Sequence, residues 1–531
     1  MKNINVYLVF FFSFLSLNIF SQTENRIATN IQKAKQAGIE FVDLRNLFEI
    51  RQLEKQGKYE KYIDNFQAFR LNKMKLRELK SSKNLITNIP YNGETIVIEL
   101  QEVNSKFNSY HLRTSSGKKH ESNKNQKHYR GIINGTSQSI VALSFFDNEV
   151  SGFLSSNKHG TINIGKLKKD SAQFIYSDNA ISSIVAGNSI DGCYTNSAKQ
   201  NSALDEIYSR LGTTSNLKSA TAVTEDGNHL NLYIEVDNDI YNDFGSRIAN
   251  VENYVTGLFN QVATLYANEN IFLQLSEIFI WDTPDAYAAN INDGLADFVD
   301  TRVTFDGDLA LLLSYIDGDD DPDNTANAGG IANGIGGLCV IGDADLSPHA
   351  HIALFPEFEE FPTFSRQVKV VTHEMGHVLG SRHTHACVWN GTNTAIDGCG
   401  DCMEETIFPE TCPTFADCCE GCADPGNPAV GGTIMSYCDR TTVGIDFMLG
   451  FGEQPGDVIR NFIVAADCLD CNITIANRAI DSDAVINACG VEIENVTIEN
   501  NANVEINSTG NVIINGIFEA ELGTTLEIKN E

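Results

Sequence analysis

The sequence predicts an α+β (mixed α/β) fold for its central part, preceded by a β-rich region and followed by a small all-β repeat module. Three observations support this prediction. Strand and helix patterns alternate between residues 230 and 378, which is typical of a mixed sheet with helices packed on it. Short strand patterns bounded by glycines precede that part. Short alternating apolar pairs separated by Asn, Gly, Ser and Thr follow it.

Length and composition indicate several domains. With 531 residues the chain is too long for one hydrophobic core, and 42% hydrophobic against 20% charged residues is an ordinary globular composition. Residues 1–21 place Lys2 before an apolar run, which predicts a secretory signal peptide cleaved near Ser21 or Gln22. This run is too short for a membrane anchor, and no later segment reaches spanning length, so we expect no stable membrane insertion.

The region from residue 22 to 224 is predicted to begin with helices and to continue with strands. Lys, Gln, Glu and Leu at helical spacing predict helix between 23 and about 85. Alternating β-branched residues then predict strands at 95–100, 132–133, 139–144 and 150–154. Residues 196–225 are rich in Ser, Thr, Asn and Ala, so we expect an exposed linker there that a protease can cleave.

The central part, residues 225–470, carries the alternating elements. Strands are predicted at 230–236, 271–281, 308–315 and 351–355, and helices at 251–267 and 294–303. A further helix carries the stretch VVTHEMGHVLGSRHTHA, in which His373 and His377 stand four residues apart and project from one face. Gly380 favours the left-handed conformation that ends a helix, and the returning chain brings His383 towards the first two histidines.

Three neutral imidazoles arranged in this way suit Zn²⁺ and leave a fourth coordination position open, as in catalytic zinc sites. Glu374 lies beside the first histidine and is the residue type that serves as general base on a metal-bound water. A buried helix with some polar residues is the alternative, which Gly380 and His383 at their fixed offsets disfavour. We therefore predict His373, His377 and His383 as zinc ligands and Glu374 as the catalytic residue.

The motif H-E-x-x-H-x-x-G-x-x-H resembles the zinc signature of metzincin metalloproteases. The resemblance implies a zinc endopeptidase whose substrates are proteins and peptides, bound by strand addition along the edge strand, which we expect at 351–355 just before the helix with the histidines. It also implies a downstream Met-turn, for which Gly-Thr-Ile-Met-Ser-Tyr places Met435 beneath the zinc site. Tyr437 resembles the tyrosine that stabilises the tetrahedral intermediate in the astacin and serralysin branches, although adamalysins usually lack it.

The N-terminal region resembles the propeptide of the adamalysin (reprolysin, M12B) branch in HYRG at 128–131, SIVALS at 139–144 and VSGFL at 150–154. This implies a reprolysin-type propeptide and linker over residues 22–224, a latent zymogen, and inhibition by the protein's own propeptide. Glu235 and Asp308 match positions at which adamalysins hold a structural Ca²⁺, and carboxylates suit that ion. The alternative is that they are two unrelated surface acids.

Of the 13 cysteines, only Cys193 precedes the central part, and the other twelve can pair completely. Disulfides suit an exported chain, so we prefer them to a second zinc site at the two C-x-x-C pairs, 399/402 and 419/422. Adamalysin-type propeptides often use a cysteine switch, and a thiolate is a strong zinc ligand. Cys193 is thus a candidate switch residue, with a structural cysteine as the alternative.

Charge is distributed unevenly along the chain. Residues 23–130 carry about 21 basic and 12 acidic side chains, whereas residues 131–531 carry about 16 and 58. The acidic majority argues against a nucleic-acid partner. A basic N-terminal region lying on an acidic body is one interpretation, and two separately solvated surfaces is the other.

Residues 471–531 form the predicted β-repeat module, which resembles C-terminal sorting modules of bacterial exported proteins. It is a candidate for attachment to the cell surface. Together these observations predict a secreted zinc endopeptidase made as a zymogen. The alternatives are a catalytically idle metzincin-fold adhesin, which the intact Glu374 disfavours, and a protease of another metzincin branch.

Overall fold

The computed structural model describes residues 25–53, 63, 65–166, 172–178, 193, 195, 199–211, 229–288, 290–315, 329–354, 365–400, 425–469, 472–481, 484–488, 490–508 and 511–530. The fold over these residues is mixed α/β, as the sequence predicts. The predicted signal peptide at 1–21 lies outside the described residues. No helix in the described ranges is long and apolar enough to cross a membrane.

The N-terminal region is built mainly of strands. Its described elements are α1 (Arg26–Gln36), β1 (Val42–Asp43), β2 (Phe48–Ile50), β3 (Gln67–Leu71), α2 (Lys73–Leu79), β4 (Asn84–Tyr91), β5 (Glu94–Glu102), β6 (His111–Thr114), β7 (Lys119–His120), β8 (Lys127–Ile133), β9 (Ser139–Phe145), β10 (Val150–Ser156), β11 (Gly160–Lys166) and β12 (Gln173–Ser177). Among the described strands, ten form one sheet in the order β1-β4-β5-β8-β9-β10-β11-β12-β3-β2.

The helix predicted from 23 to about 85 is only partly present. Helices α1 and α2 lie at its two ends, and β1, β2 and β3 lie between them. Phe48 and Phe69 on β2 and β3 are buried in the core of the N-terminal sheet, with their ring centroids 5.2 Å apart. Long-range pairing therefore overrides the local helical preference of this segment.

The central part contains a second sheet with helices against it. Its described elements are α3 (Ala203–Ser209), β13 (Leu230–Val236), α4 (Asn238–Asp243), α5 (Ile248–Asn268), β14 (Leu273–Ile280), α6 (Ile291–Thr301), β15 (Leu309–Tyr315), β16 (Gly330–Ala332), β17 (His349–Leu354), α7 (Ser365–Val378) and α8 (Glu453–Ala465). The predicted strands and helices of this part are confirmed, and the predicted ends lie within three residues of the observed ends. β13, β14, β15 and β17 run parallel, and β16 is an antiparallel edge strand beside β17.

The other edge of this second sheet is completed by the N-terminal region. The hairpin β6–β7 extends the sheet, because β6 pairs in parallel with β14. Arg113 on β6 pairs with Glu277 at 3.4 Å, and His111 lies 3.1 Å from Asp306. These contacts place N-terminal basic side chains against central acidic ones, which is the arrangement that the charge asymmetry suggests.

Helix α5 joins the two regions in one hydrophobic core. It contacts strands of the N-terminal sheet as well as β14 and α7, and it is buried over most of its circumference. Phe259 of α5 lies 5.0 Å, between ring centroids, from Phe107 of the N-terminal region. A helix that is apolar on nearly all sides is typical of such an interior position.

The C-terminal strands are β18 (Asn472–Ile480), β19 (Ala484–Ala488), β20 (Gly490–Ile498), β21 (Asn503–Ser508), β22 (Val512–Ala520) and β23 (Thr525–Asn530). Each strand pairs in parallel with the next but one, so that the described strands form two three-stranded sheets. The alternating Val and Ile residues of β20 and β21 face a shared apolar core.

Candidate metal centre

Helix α7 carries the first part of the site and is buried along nearly its whole length. Gly376 allows its close packing, since a Cβ at this position would lie 2.6 Å from the sulfur of Met435. The α-helix ends at Val378, and Gly380 has a φ of +95°, a backbone conformation that glycine adopts easily. The chain turns there, so that His383 returns to the face that carries His373 and His377.

The three imidazoles converge on one point. The Nε2 atoms of His373, His377 and His383 are 3.1 to 3.2 Å apart. The Nδ1 atom of His373 lies 2.8 Å from the carbonyl oxygen of Ile434, and that of His377 lies 2.7 Å from the carbonyl oxygen of Ser381. Protons on Nδ1 satisfy these carbonyls and leave the Nε2 lone pairs facing each other.

This donor set fits a tetrahedral zinc ion. Zn–N distances of about 2.0–2.1 Å place tetrahedral nitrogen ligands roughly 3.3 Å apart, close to the separations found here. Burial lowers the pKa of His377 to about 3 and the pKa values of His373 and His383 well below their usual range. The imidazoles are therefore neutral and can act as ligands.

Glu374 lies against the edge strand of the sheet. Its side chain is buried, and burial raises its pKa to about 7, while a hydrogen bond from Thr195 opposes this shift. Gly330 at the start of β16 leaves room for it, because a Cβ there would lie 2.2 Å from its Cγ. A carboxyl group with a pKa near neutrality is suited to accept and release protons.

Cys193 is a free thiol, and it lies beside the three histidines. Its Sγ is 3.3 Å from Nε2 of His377, and it joins the three histidines in a group whose potential ligand atoms all lie within 4.8 Å of one another. Burial and the nearby Glu374 raise the pKa of the thiol, so a thiolate at this position requires a cation beside it.

The chain around Cys193 lies along the edge strand. Cys193 forms a parallel bridge with Gly330, and Gln200 forms another with Ile335. The sequence predicts the strand at 351–355 as the edge strand that binds substrate, and this is wrong, because β17 is covered by β15 on one side and by β16 on the other. The edge strand is β16, and it already accepts a chain segment at Cys193.

Met435 and Tyr437 lie beneath and beside the histidines. Met435 is fully buried against α7, and its carbonyl oxygen accepts a hydrogen bond from the backbone N–H of Thr384 at 3.2 Å. The ring of Tyr437 lies 4.6 Å from that of His383, and its hydroxyl donates to the carbonyl oxygen of Cys193 at 3.4 Å. The structure thus brings both residues to the site; the role of Tyr437 in catalysis stays a prediction.

The linker predicted at 196–225 is docked over the residues that the structure describes, 199–211. Leu204 of α3 is fully buried, and the hydroxyl of Tyr208 donates to the carbonyl oxygen of Gly380 at 2.9 Å. The prediction of an exposed linker is wrong for this part, because apolar residues at helical spacing in α3 pack against α8. Residues 212–228 lie outside the described residues.

Glu235 and Asp308 do not form one calcium site. Glu235 on β13 pairs with Leu312 of β15, so Asp308 lies four residues away along the strand, on the order of 13 Å. The guanidinium of Arg302 neutralises Glu235, which also accepts hydrogen bonds from Tyr233, Trp281 and Tyr287. Asp308 accepts hydrogen bonds from Asn231. The prediction of a shared Ca²⁺ is corrected, because both carboxylates already have other partners.

The remaining histidine and cysteine predictions concern structural roles. His349 and His351 are buried and hydrogen-bonded to Ser347 and Ser314, away from the metal-ligating group. Disulfides link Cys339 to Cys468 and Cys399 to Cys438, which excludes Cys399 from a second zinc site. Cys402, Cys412, Cys418, Cys419 and Cys422 lie outside the described residues.

Sequence reasoning missed Thr195 and Gly330, both of which contact Glu374. A signal for Thr195 was present, because residues i and i+2 of an extended segment lie on one side, and Thr195 follows Cys193 by two. No local signal pointed to Gly330, whose contact with Glu374 depends on how the edge strand packs on α7.

Comparison with known proteins adds independent findings. The family model Reprolysin_5, described as metallo-peptidase family M12, matches residues 226–444. This range contains the three histidines, Glu374, Met435 and Tyr437, and excludes Cys193. Metalloproteinase-II from Bacteroides fragilis is similar at 12% identity, over 71% of this chain and 98% of that chain, with a TM-score of 0.35. A solved structure of a chaperone–substrate complex matches at 14% identity, over 31% of this chain and 25% of that chain, with a TM-score of 0.23. Neither superposition is close enough to support a conclusion.

Proposed function

Because residues 226–444 form a metzincin-like metallopeptidase domain of family M12, we propose that this protein is a zinc endopeptidase that is exported as a latent precursor. Its substrates are proteins and peptides. Residues 22–224 form the propeptide and linker, residues 225–470 the peptidase domain, and residues 471–531 a module that attaches the enzyme to the cell surface.

The observation that carries the peptidase proposal is the convergence of three Nε2 atoms at 3.1 to 3.2 Å beside Glu374. His373, His377 and His383 would hold Zn²⁺, and Met435 would support them from below. When bound, Zn²⁺ supplies Lewis acidity that polarises the scissile carbonyl and activates a water molecule. Glu374 takes a proton from that water and passes it to the nitrogen of the leaving amine. Strand β16 binds the substrate in an extended conformation.

The latency proposal is supported by Cys193. Its sulfur lies 3.3 Å from Nε2 of His377, at the side of the histidine cluster that a water or substrate must reach. If His373, His377 and His383 held Zn²⁺, a thiolate of Cys193 would be a fourth ligand and would exclude water from the site. Cleavage in residues 212–228 would separate Cys193 from the peptidase domain and allow its departure.

The export proposal is supported by the predicted signal peptide at 1–21 and by the disulfides Cys339–Cys468 and Cys399–Cys438. Such bonds persist in oxidising compartments. Detection in the medium of the native host of a precursor chain that begins after Ser21 or Gln22 would support export, and retention of residues 1–21 on a chain inside the cell would contradict it.

The peptidase proposal is tested with enzyme activated by cleavage within 212–228, so that Cys193 no longer contributes a ligand. Glu374→Gln should retain one zinc per chain and lose casein cleavage, because only proton transfer is removed. His383→Ala should lose both zinc and activity after dialysis, because two histidines bind the ion too weakly. Glu453→Gln, at an exposed carboxylate in the first turn of α8, is the control in the same activated enzyme and should keep both zinc and casein cleavage.

Two outcomes would contradict the assignment. Casein cleavage at the wild-type rate by Glu374→Gln would show that another group is the base. Stoichiometric zinc in dialysed His383→Ala would show that His383 is not a ligand.

A further inference from the structure

Thr195 contacts the proposed base and the edge strand at the same time. Its hydroxyl donates to Oε2 of Glu374 at 3.0 Å and accepts from the backbone N–H of Ala332 at 2.8 Å. The side chain is only 6% exposed, so water does not compete freely for these bonds. Cys193, two residues earlier, lies 3.5 Å from the same Oε2.

Both partners of Thr195 are groups that the active enzyme needs. Oε2 of Glu374 is one of the two oxygens that can accept a proton during catalysis. The N–H of Ala332 is a donor on β16 that points away from β17 and is available to the backbone of a substrate. One hydroxyl therefore blocks the proton acceptor and a substrate-binding donor together.

We propose that Thr195 is a second restraint on the precursor, which holds Glu374 independently of the contact between Cys193 and the histidine cluster. The proposal deepens the latency of the proposed peptidase and rests on that function. Cys193 contacts His377 of the histidine cluster, and the Thr195 hydroxyl donates to Glu374. Latency then has two separable parts, and removal of the thiol alone opens the site incompletely.

The size of the effect follows from the type of bond. A hydrogen bond to a charged acceptor changes an equilibrium by roughly ten- to a hundredfold. Loss of the Thr195 hydroxyl should raise the fraction of precursor with an open site by at least about tenfold. Simple steric covering by the N-terminal region predicts no such change, because valine has nearly the shape of threonine.

The test uses the full-length precursor with residues 212–228 made resistant to proteases. Initial rates on a quenched peptide are compared for wild type, Cys193→Ser, Cys193→Ser/Thr195→Val and Cys193→Ser/Thr195→Ser. We expect the valine double variant to be at least about tenfold faster than Cys193→Ser, and the serine double variant to match Cys193→Ser because it keeps a hydroxyl. Equal rates for the valine double variant and Cys193→Ser would overturn the proposal, and so would a serine double variant as fast as the valine one.

A second readout separates the Thr195 restraint from the peptidase activity. In Glu374→Gln precursors, which retain an acceptor oxygen, the rate of Cys193 modification by a thiol reagent reports opening of the segment without any catalysis. Because the amide of residue 374 is a neutral acceptor, Thr195→Val should increase that rate about two- to tenfold, and Thr195→Ser should not. If no activated enzyme cleaves any peptide, the proposed function fails while this measurement still decides the Thr195 restraint. An unchanged modification rate in Thr195→Val would overturn the Thr195 restraint alone.

Discussion

Replacement of Gly330 by alanine is the sharpest test of how the edge strand positions Glu374. A Cβ at residue 330 would lie 2.2 Å from Cγ, 2.6 Å from Cδ and 2.7 Å from Oε1 of Glu374. Gly330 is not among the glycines with positive φ, so alanine is compatible with the backbone and only the overlap matters. Since carbon atoms in contact are about 3.5–4.0 Å apart, Glu374 must move by more than about 1 Å.

A displacement of about 1 Å in a catalytic group can lower a rate about a hundredfold. We therefore expect Gly330→Ala, in enzyme activated by cleavage within 212–228, to show roughly a hundredfold lower kcat on a quenched peptide. Zinc content should stay at one per chain, because the nearest atoms to the added methyl all belong to Glu374. Ile331→Val, which shortens the neighbouring buried side chain, is the matched control and should keep kcat.

Two results would refute this reasoning. A kcat within threefold of the wild type would mean that Glu374 does not act from the position it occupies beside Gly330. Loss of zinc in Gly330→Ala would mean that the substitution disturbs the histidines, so that a fall in kcat could not be assigned to the base.

Two further predictions concern stability and are measured by urea unfolding of the Glu374→Gln precursor, which avoids self-digestion. Burial raises the pKa of Asp237 from 3.8 to about 8, so its contribution to stability is complete below about pH 4 and is lost as the pH rises through about 8. In Asp237→Asn the urea midpoint of unfolding should fall less steeply as the pH rises from about 4 to about 8, and an unchanged dependence of the midpoint on pH would contradict the raised pKa of Asp237. Glu269→Ala should cost about 1.5–3 kcal/mol, because it removes the more buried of the two carboxylates that pair with the Arg460 guanidinium, while Asp457 remains as a partner. Glu94→Ala, at an exposed ion pair, is its control and should change the midpoint little, whereas equal losses in both variants would contradict the prediction.

The local pattern of the sequence was sufficient for four strands and three helices of the central part, whereas α3, α4, α8 and β16 were not predicted. Strand β13 was predicted with the bounds that the structure has, Leu230–Val236, because the aliphatic residues Leu230, Leu232, Ile234 and Val236 recur at every second position. The cluster of His373, His377 and His383 was equally accessible, since a four-residue helical spacing and a glycine turn act within eleven residues. Short-range geometry decides both features.

Contacts between distant segments could not be predicted in the same way. Hydrophobic periodicity predicts which side of a helix or strand is buried, but it does not identify the element that packs against that side. The segment 199–211 was predicted to be exposed, yet Leu204 is buried against a helix some 250 residues later in the chain. Glu235 was assigned to calcium, yet the charge that neutralises it is Arg302, which folding brings beside it from another element.

The sequence alone therefore determined the chemistry that the helix and its turn can hold, which is three histidines and a carboxylate, and the resemblance to metzincins added Met435. Only the tertiary structure decided what lies against that chemistry. Strand β6 joins the edge of the central sheet, Gly330 faces Glu374, and Thr195 lies between Glu374 and Ala332. The physical reason is that these contacts are not local. The pairing of β6 with β14 and both contacts of Thr195 join residues more than a hundred positions apart. Gly330 and Glu374 lie on two different elements that pack against each other, and only the complete fold brings such residues together.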